Sequence, residues 1–510
     1  MKKVFLFLSC FFFAFIHIGS AQKRITAWRT KAVVSLEGYG KFEEIIIDST
    51  AINEVYKNKV PFIEITIPDK NNQQLTAVLA EMPMNHVRVK TNNKDYITGI
   101  ELPKIFRGKI AGLQARHDVL LTLAPDYISF TAYLPGETIT VEQDSRQNGA
   151  YVLLNSADLV YKTNPFTCGL SDTKPVDKTE QQHFSKVNST LAASDKCTFV
   201  FVDCTNRLFR NQGENVQNTI NYVYSIWNGA GNAFRNEQLN VLISEINVWT
   251  ASDPFDVSSS TTVANKSFAD FYRDNYWGNM AMLLDWSTLN AAIAGGYGWA
   301  KSVEPNTCGN YIASPSPAWN FGSFIYNNLN PAVFGTLSYS NFPAAAIAHQ
   351  VYISVHELGH LFSSWHTHSC NWPGGPIDNC VALEGSCTAT GMLPATGGTF
   401  MSYCDQTSVG NNFNNGFGTL PGDTIRQFVV NNACISNCTS CVANDVIGNI
   451  AVSGFQQKEV TNQLIANGNL TTPNGFLKLD AGSRVVLQPG FRVTEGNKVQ
   501  VIIDGCGGIR

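Results

Sequence analysis

Apolar and polar positions follow two different rhythms along this chain. Up to about residue 165 the apolar runs are short, β-branched and aromatic. Phe62-Ile63-Glu64-Ile65-Thr66-Ile67 and Tyr127-Ile128-Ser129-Phe130-Thr131-Ala132-Tyr133 are two of them, closed by Pro68-Asp69 and Pro135-Gly136. Such runs between turn residues predict strands. Residues 167–196 change character: Ser171 to Lys196 is polar and non-periodic and reads as a linker open to proteolysis. A new pattern starts at Cys197. Thr198 to Val202 predicts a strand, and Val216, Ile220, Val223, Tyr224 and Trp227 predict a helix over 215–227. Leu239–Ile246 and Ala281–Leu284 predict further strands. Asn341 with Pro343 opens a helical stretch to about Phe362. From about 438 short strands alternate with turns such as Asn467-Gly468, Asn474-Gly475 and Pro489-Gly490, which predicts a small all-β module.

The expected organisation is therefore a segment 1–21, a β-rich region 22–166, a linker 167–196, an α+β domain 197–437 and a β module 438–510. Composition narrows the class. Of 510 residues 44% are hydrophobic, enough for a packed core and against disorder. The net charge of −4 and the lack of a basic run exclude an electrostatic nucleic-acid binder. Met1-Lys2-Lys3, the apolar Val4 to Ile18 and the small Gly19-Ser20-Ala21 read as an export signal cut after Ala21. No other stretch predicts a membrane span, so the expected location is extracellular. Twelve of the 13 cysteines lie beyond that signal, an even number that implies disulfides. Local staples are expected between Cys370 and Cys404, with Cys441 and Cys506 bracketing the last segment.

Thirteen residues hold four of the nine histidines: His356-Glu357-Leu358-Gly359-His360-Leu361-Phe362-Ser363-Ser364-Trp365-His366-Thr367-His368. On a helix, positions four apart lie about 40° apart around the axis, so His356 and His360 share a face. Two neutral imidazoles suit Zn²⁺, and His366 can swing back as a third ligand. Glu357 stands where its carboxylate can act as a general base. A different third ligand, Glu384, is the rival within the same chemistry. His86 and His117 are isolated and read as surface or core residues, and His368 as a group beside the ligands.

His356-Glu357-x-x-His360-x-x-x-x-x-His366 resembles the HExxHxxGxxH zinc signature of metzincin endopeptidases. Gly398-Thr399-Phe400-Met401-Ser402-Tyr403-Cys404 resembles their Met-turn. The flanking cysteines, the His-Thr-His ending and the β-rich region before them are similar to the reprolysin-like branch with a propeptide, over about residues 100–437. The resemblance implies a twisted sheet with a zinc-binding helix, and a secreted protease acting on protein or peptide substrates with Glu357 as base. It implies Met401 as a floor beneath the metal, against a plain core methionine, and Tyr403 as an oxyanion donor, against a core tyrosine. One departure stands out: the family's glycine is Ser363 here. Gly295 to Ala300 is expected either as the substrate-binding sheet edge or as a glycine-rich turn, and Cys434-Ile435-Ser436-Asn437 resembles a calcium-binding end. Phe166-Thr167-Cys168-Gly169-Leu170 resembles a cysteine switch, in which a thiolate holds the zinc and keeps the precursor latent; the alternative is a disulfide half. The C-terminal module is expected to bind a surface or the export machinery. The competing class is a non-catalytic zinc-binding adhesion protein on a protease scaffold.

Overall fold

The period-two runs before residue 158 form one ten-stranded sheet in the computed structural model. The structure describes residues 23–158, 168, 196–286, 299–302, 310–311, 322–328, 347–432 and 435–503, apart from a few short stretches within them. The residues read as an export signal and those read as a linker before Lys196, His86, His117, Gly295 to Gly298, and Cys308, Cys434, Cys441 and Cys506 lie outside the described residues, Cys168 excepted. The ten strands run from Lys23–Ile25 to Tyr151–Asn155 and are antiparallel except for Lys23–Ile25 beside Phe62–Pro68. Their inward side chains, among them Ile63, Ile65, Leu121, Phe130 and Val141, make one core under the helix Ser49–Lys57.

A second sheet is built mainly from residues after 196. Its seven strands run in the order Asn310–Tyr311, Trp299–Ser302, Gly322–Asn328, Met280–Asp285, Cys197–Cys204, Asn240–Val248, Arg88–Thr91. The inner strands are parallel and apolar on both faces, as parallel strands must be when helices cover both sides. Alternation along Cys197–Cys204 sends Val200 and Val202 into one core and Phe201 into another, against the helix Thr261–Tyr272. The predicted helix over 215–227 runs further, Val216–Asn236, with Asn215 accepting from the Asn218 amide at 3.1 Å as its cap. It lies directly against the helix Ile347–Leu361: a Cβ on Gly229 would come within 2.4 Å of the Val351 side chain. Trp299 and Ala300 of the expected substrate edge belong to a strand that the short Asn310–Tyr311 covers on its outer side.

The outermost strand was not foreseen. Arg88–Thr91, from the region read as a separate β-rich unit, pairs in parallel with Asn240–Val248. The last residues form a five-stranded sheet whose strands are all parallel. Phe476 of that sheet meets Trp277 edge to face at 4.5 Å. Disulfides join Cys370 to Cys387 and Cys380 to Cys404, the local staples expected, and Cys197 to Cys438. No helix among the described residues is long and apolar enough to cross a membrane.

Candidate metal centre

The helix Ile347–Leu361 carries His356, Glu357 and His360, all buried. Its spacing puts both imidazoles on one face, with Nε2 atoms 3.1 Å apart. The helix then stops in two hydrogen bonds, Ser364 N–H to Gly359 O at 3.0 Å and Ser363 N–H to His360 O at 2.9 Å. This is the Schellman ending, whose turn residue is left-handed and commonly glycine. Ser363 takes that place with φ 68°. The Cβ costs roughly 1–2 kcal/mol there, which the buried surroundings overcome. The departure from glycine therefore leaves the turn geometry in place, and the chain delivers His366 with Nε2 3.0 Å from that of His360.

Each ring is fixed through its other nitrogen. His356 Nδ1 lies 2.7 Å from Phe400 O, His360 Nδ1 2.8 Å from Ser364 O, and His366 Nδ1 2.9 Å from Glu384 Oε2. Carbonyl and carboxylate oxygens only accept, so each Nδ1 donates and each Nε2 faces the shared space. Burial, and then the neighbouring imidazoles, hold His356 and His360 well below the usual histidine range, so both are neutral. Three convergent, buried imidazole nitrogens fit a zinc ion.

Glu384 sits on the far side of His366, bonded to its Nδ1. Burial pushes its carboxyl up, but hydrogen bonds with His366 and His368 outweigh this and hold it well below the usual range. His368 is buried and stacks on the His366 ring at 5.1 Å. Sequence spacing had offered Glu384 only as a ligand. Its bracketing by the stapled Cys380 and Cys387 was the signal that it is held in place.

Met401 is fully buried beneath the helix: a Cβ on Gly359 would come within 2.6 Å of its sulfur. Gly359 thus permits the helix to rest directly on the Met-turn. Two residues on, the Tyr403 hydroxyl lies 3.3 Å from His366 Nε2 and accepts from the Cys168 amide at 2.8 Å. Cys168 forms no disulfide, contrary to the pairing that parity favoured. Its Sγ lies 3.6 Å from Glu357 Oε2, and it joins the three histidines in one group with all ligand atoms within 4.8 Å of one another.

One positioning residue comes from far away. Glu142, on strand Glu137–Gln143 of the first sheet, accepts from the Ile347 amide at 3.1 Å, at the amino end of the metal-site helix. No local sequence signal links residues 205 apart. Burial pushes the Glu142 carboxyl up to about 8 from an ordinary 4.5, partly offset by the bonds from Ile347 and Thr140. Its buried neighbours Tyr127 and Tyr222 stay protonated throughout. The folded protein keeps a proton that the unfolded chain releases, so this stabilisation is complete below about pH 4.5 and is lost as pH rises to about 8. Glu142→Gln keeps an acceptor for the helix and removes the titration. Urea unfolding at pH 5 and pH 8 should show the wild type losing on the order of a few kcal/mol more than the variant over that interval. Equal losses would exclude Glu142 as the titrating group.

Residues 193–415 match the family model Reprolysin_5, metallo-peptidase family M12. The match supports a metallopeptidase, a zinc-dependent class of hydrolase whose substrates are proteins or peptides. Among solved structures, metalloproteinase-II from Bacteroides fragilis aligns at 12% identity and a TM-score of 0.33, over 64% of this chain and 88% of that one. A chaperone–substrate complex aligns at 10% identity and a TM-score of 0.22, over 48% and 29%. No curated protein matches the chain.

Proposed function

We propose that this chain is the precursor of a secreted, reprolysin-like zinc endopeptidase. In this reading residues 22–166 are a prodomain, 167–196 the inhibitory segment and linker, 197–437 the catalytic domain and 438–510 an accessory module. The observation that carries it is the convergence of the His356, His360 and His366 Nε2 atoms beside the Glu357 carboxylate. His356, His360 and His366 would hold the zinc, with Met401 as the apolar floor beneath them. When bound, the ion supplies Lewis acidity that polarises a scissile carbonyl and acidifies water. Glu357 takes a proton from the attacking water and passes it to the leaving amine. Tyr403 stays protonated, because burial and then the adjacent Cys168 push its phenol well up. Its hydroxyl can donate to the oxygen that becomes negative as the peptide carbonyl is attacked.

In the precursor the Cys168 thiol occupies the space that the attacking water needs, which accounts for latency. The test compares the intact chain with Cys168→Ser on a peptide library, with and without chelator. The variant should cleave peptides, lose activity on chelation and regain it with added zinc. A zinc-loaded Cys168→Ser protein that cleaves nothing would overturn the peptidase reading.

A further inference from the structure

Strand Arg88–Thr91 is part of the catalytic sheet by every physical measure. It hydrogen-bonds along Asn240–Val248 in register, Arg88 opposite Glu245 to Thr91 opposite Val248. Val87, Val89 and Ile105 sit in the same hydrophobic core as Val200, Val202, Val241 and Ile246. Lys90 forms a buried ion pair with Glu245 at 2.5 Å, and Tyr96 donates to the same carboxylate at 2.6 Å. Asn93 N–H donates to Asn247 Oδ1, whose Nδ2 in turn donates to the buried Asp203. Further along the contact, Arg107 donates to Asn228 at 2.9 Å, and Asp118 accepts from Asn232 and Asn236. Glu142 caps the metal-site helix.

Detaching the N-terminal region would strip one edge of the sheet and leave unpaired backbone groups along Asn240–Val248. It would open an apolar core to water and take Lys90 and Tyr96 away from Glu245. The bonds named here engage none of His356, Glu357, His360 or His366, so the contact does not itself occupy the metal site. Between residues 11 and 196 the only cysteine is Cys168, which forms no disulfide. The attachment is therefore noncovalent once the chain is cut.

We propose that the N-terminal region remains bound to the catalytic domain after processing, as a permanent noncovalent subunit that completes the sheet through Arg88–Thr91. A consequence follows for latency, and it rests on the reading of Cys168 as the inhibitory ligand. A cut between 171 and 196 leaves Cys168 tethered to the docked fragment by the ten residues after Asp158. A short tether keeps the thiol at an effective concentration on the order of millimolar, so that cut alone does not activate. Activation needs a second cut between 159 and 167, which excises the cysteine and leaves the subunit in place.

The experiment uses the full chain with sites for two sequence-specific proteases, one within 171–195 and one within 159–167. After the first cut, both fragments should co-elute in size-exclusion chromatography, with peptide hydrolysis still at the precursor level. After the second, hydrolysis should rise at least about ten-fold while the N-terminal fragment still co-elutes. Separate elution of a soluble, active catalytic fragment after the first cut would overturn the proposal. So would activation by the first cut without separation, for the latency consequence. A doubly cut, zinc-loaded complex that co-elutes yet cleaves nothing would sink the peptidase reading and leave the association standing. In the cut protein, Lys90→Met should raise the concentration at which the fragments separate by about ten-fold or more, and Lys90→Arg should restore most of it. If Lys90→Met fails to fold, the cut wild-type chain still decides the question.

Discussion

Glu357→Ala, made together with Cys168→Ser, should bind zinc like the Cys168→Ser parent and hydrolyse peptides roughly 10²–10⁴-fold more slowly. The separation of the two effects is the point. Glu357 is not among the converging ligand atoms, and its Oε2 lies 3.6 Å from the Cys168 sulfur. Its removal leaves the three imidazoles and their Nδ1 anchors untouched. What it removes is the only carboxylate next to the ligand nitrogens on the helix that carries them. The measurement is zinc content by elemental analysis alongside turnover on a cleavable peptide. Near-normal turnover by the zinc-loaded variant would refute Glu357 as the base. Loss of zinc together with activity would make it a ligand instead.

Glu384→Gln should weaken zinc affinity about 10–100-fold, the usual effect of removing an outer-shell partner of a ligating histidine. His366→Ala should do more, because it deletes one of the three proposed ligands. Glu384 accepts a hydrogen bond from His366 Nδ1 at 2.9 Å and lies 3.7 Å from His368 Nε2. The amide of glutamine can still accept from His366, but it no longer supplies the charge that makes Nε2 a stronger donor to the metal. Competition with a chelator of known affinity orders the variants. If Glu384→Gln lost zinc completely while His366→Ala kept it, the ligand assignment would be reversed.

Much of the site was legible because its main parts are close together in sequence. Helical spacing alone aligns His356 with His360, and His366 needs only one turn of chain to return. The left-handed Ser363 shows how far local reading reaches: the motif said where the turn must be, and a residue poorly suited to it adopts it anyway. That choice is made by packing, since Phe362 and His366 are buried on either side. Gly359 and Met401 behave similarly. The sequence suggested a methionine beneath the ligands, and the close approach at a position without a Cβ is what seats the helix on it.

Residue types and short-range spacing were legible in the sequence: which side chains can bind a metal, which carboxylate neighbours them, and where many of the strands and two of the helices lie. Tertiary structure decided the partners that lie far along the chain. It brought Cys168 to Glu357 across 189 residues, Glu142 to Ile347 across 205, and Cys197 to Cys438 across 241. It also took Arg88–Thr91 out of the β-rich region to which its place in the chain assigned it and paired it with Asn240–Val248. Periodicity says that a strand has a face to bury, but not against which neighbour. That choice is settled only when a buried Glu245 needs a cation and an open sheet edge needs a strand.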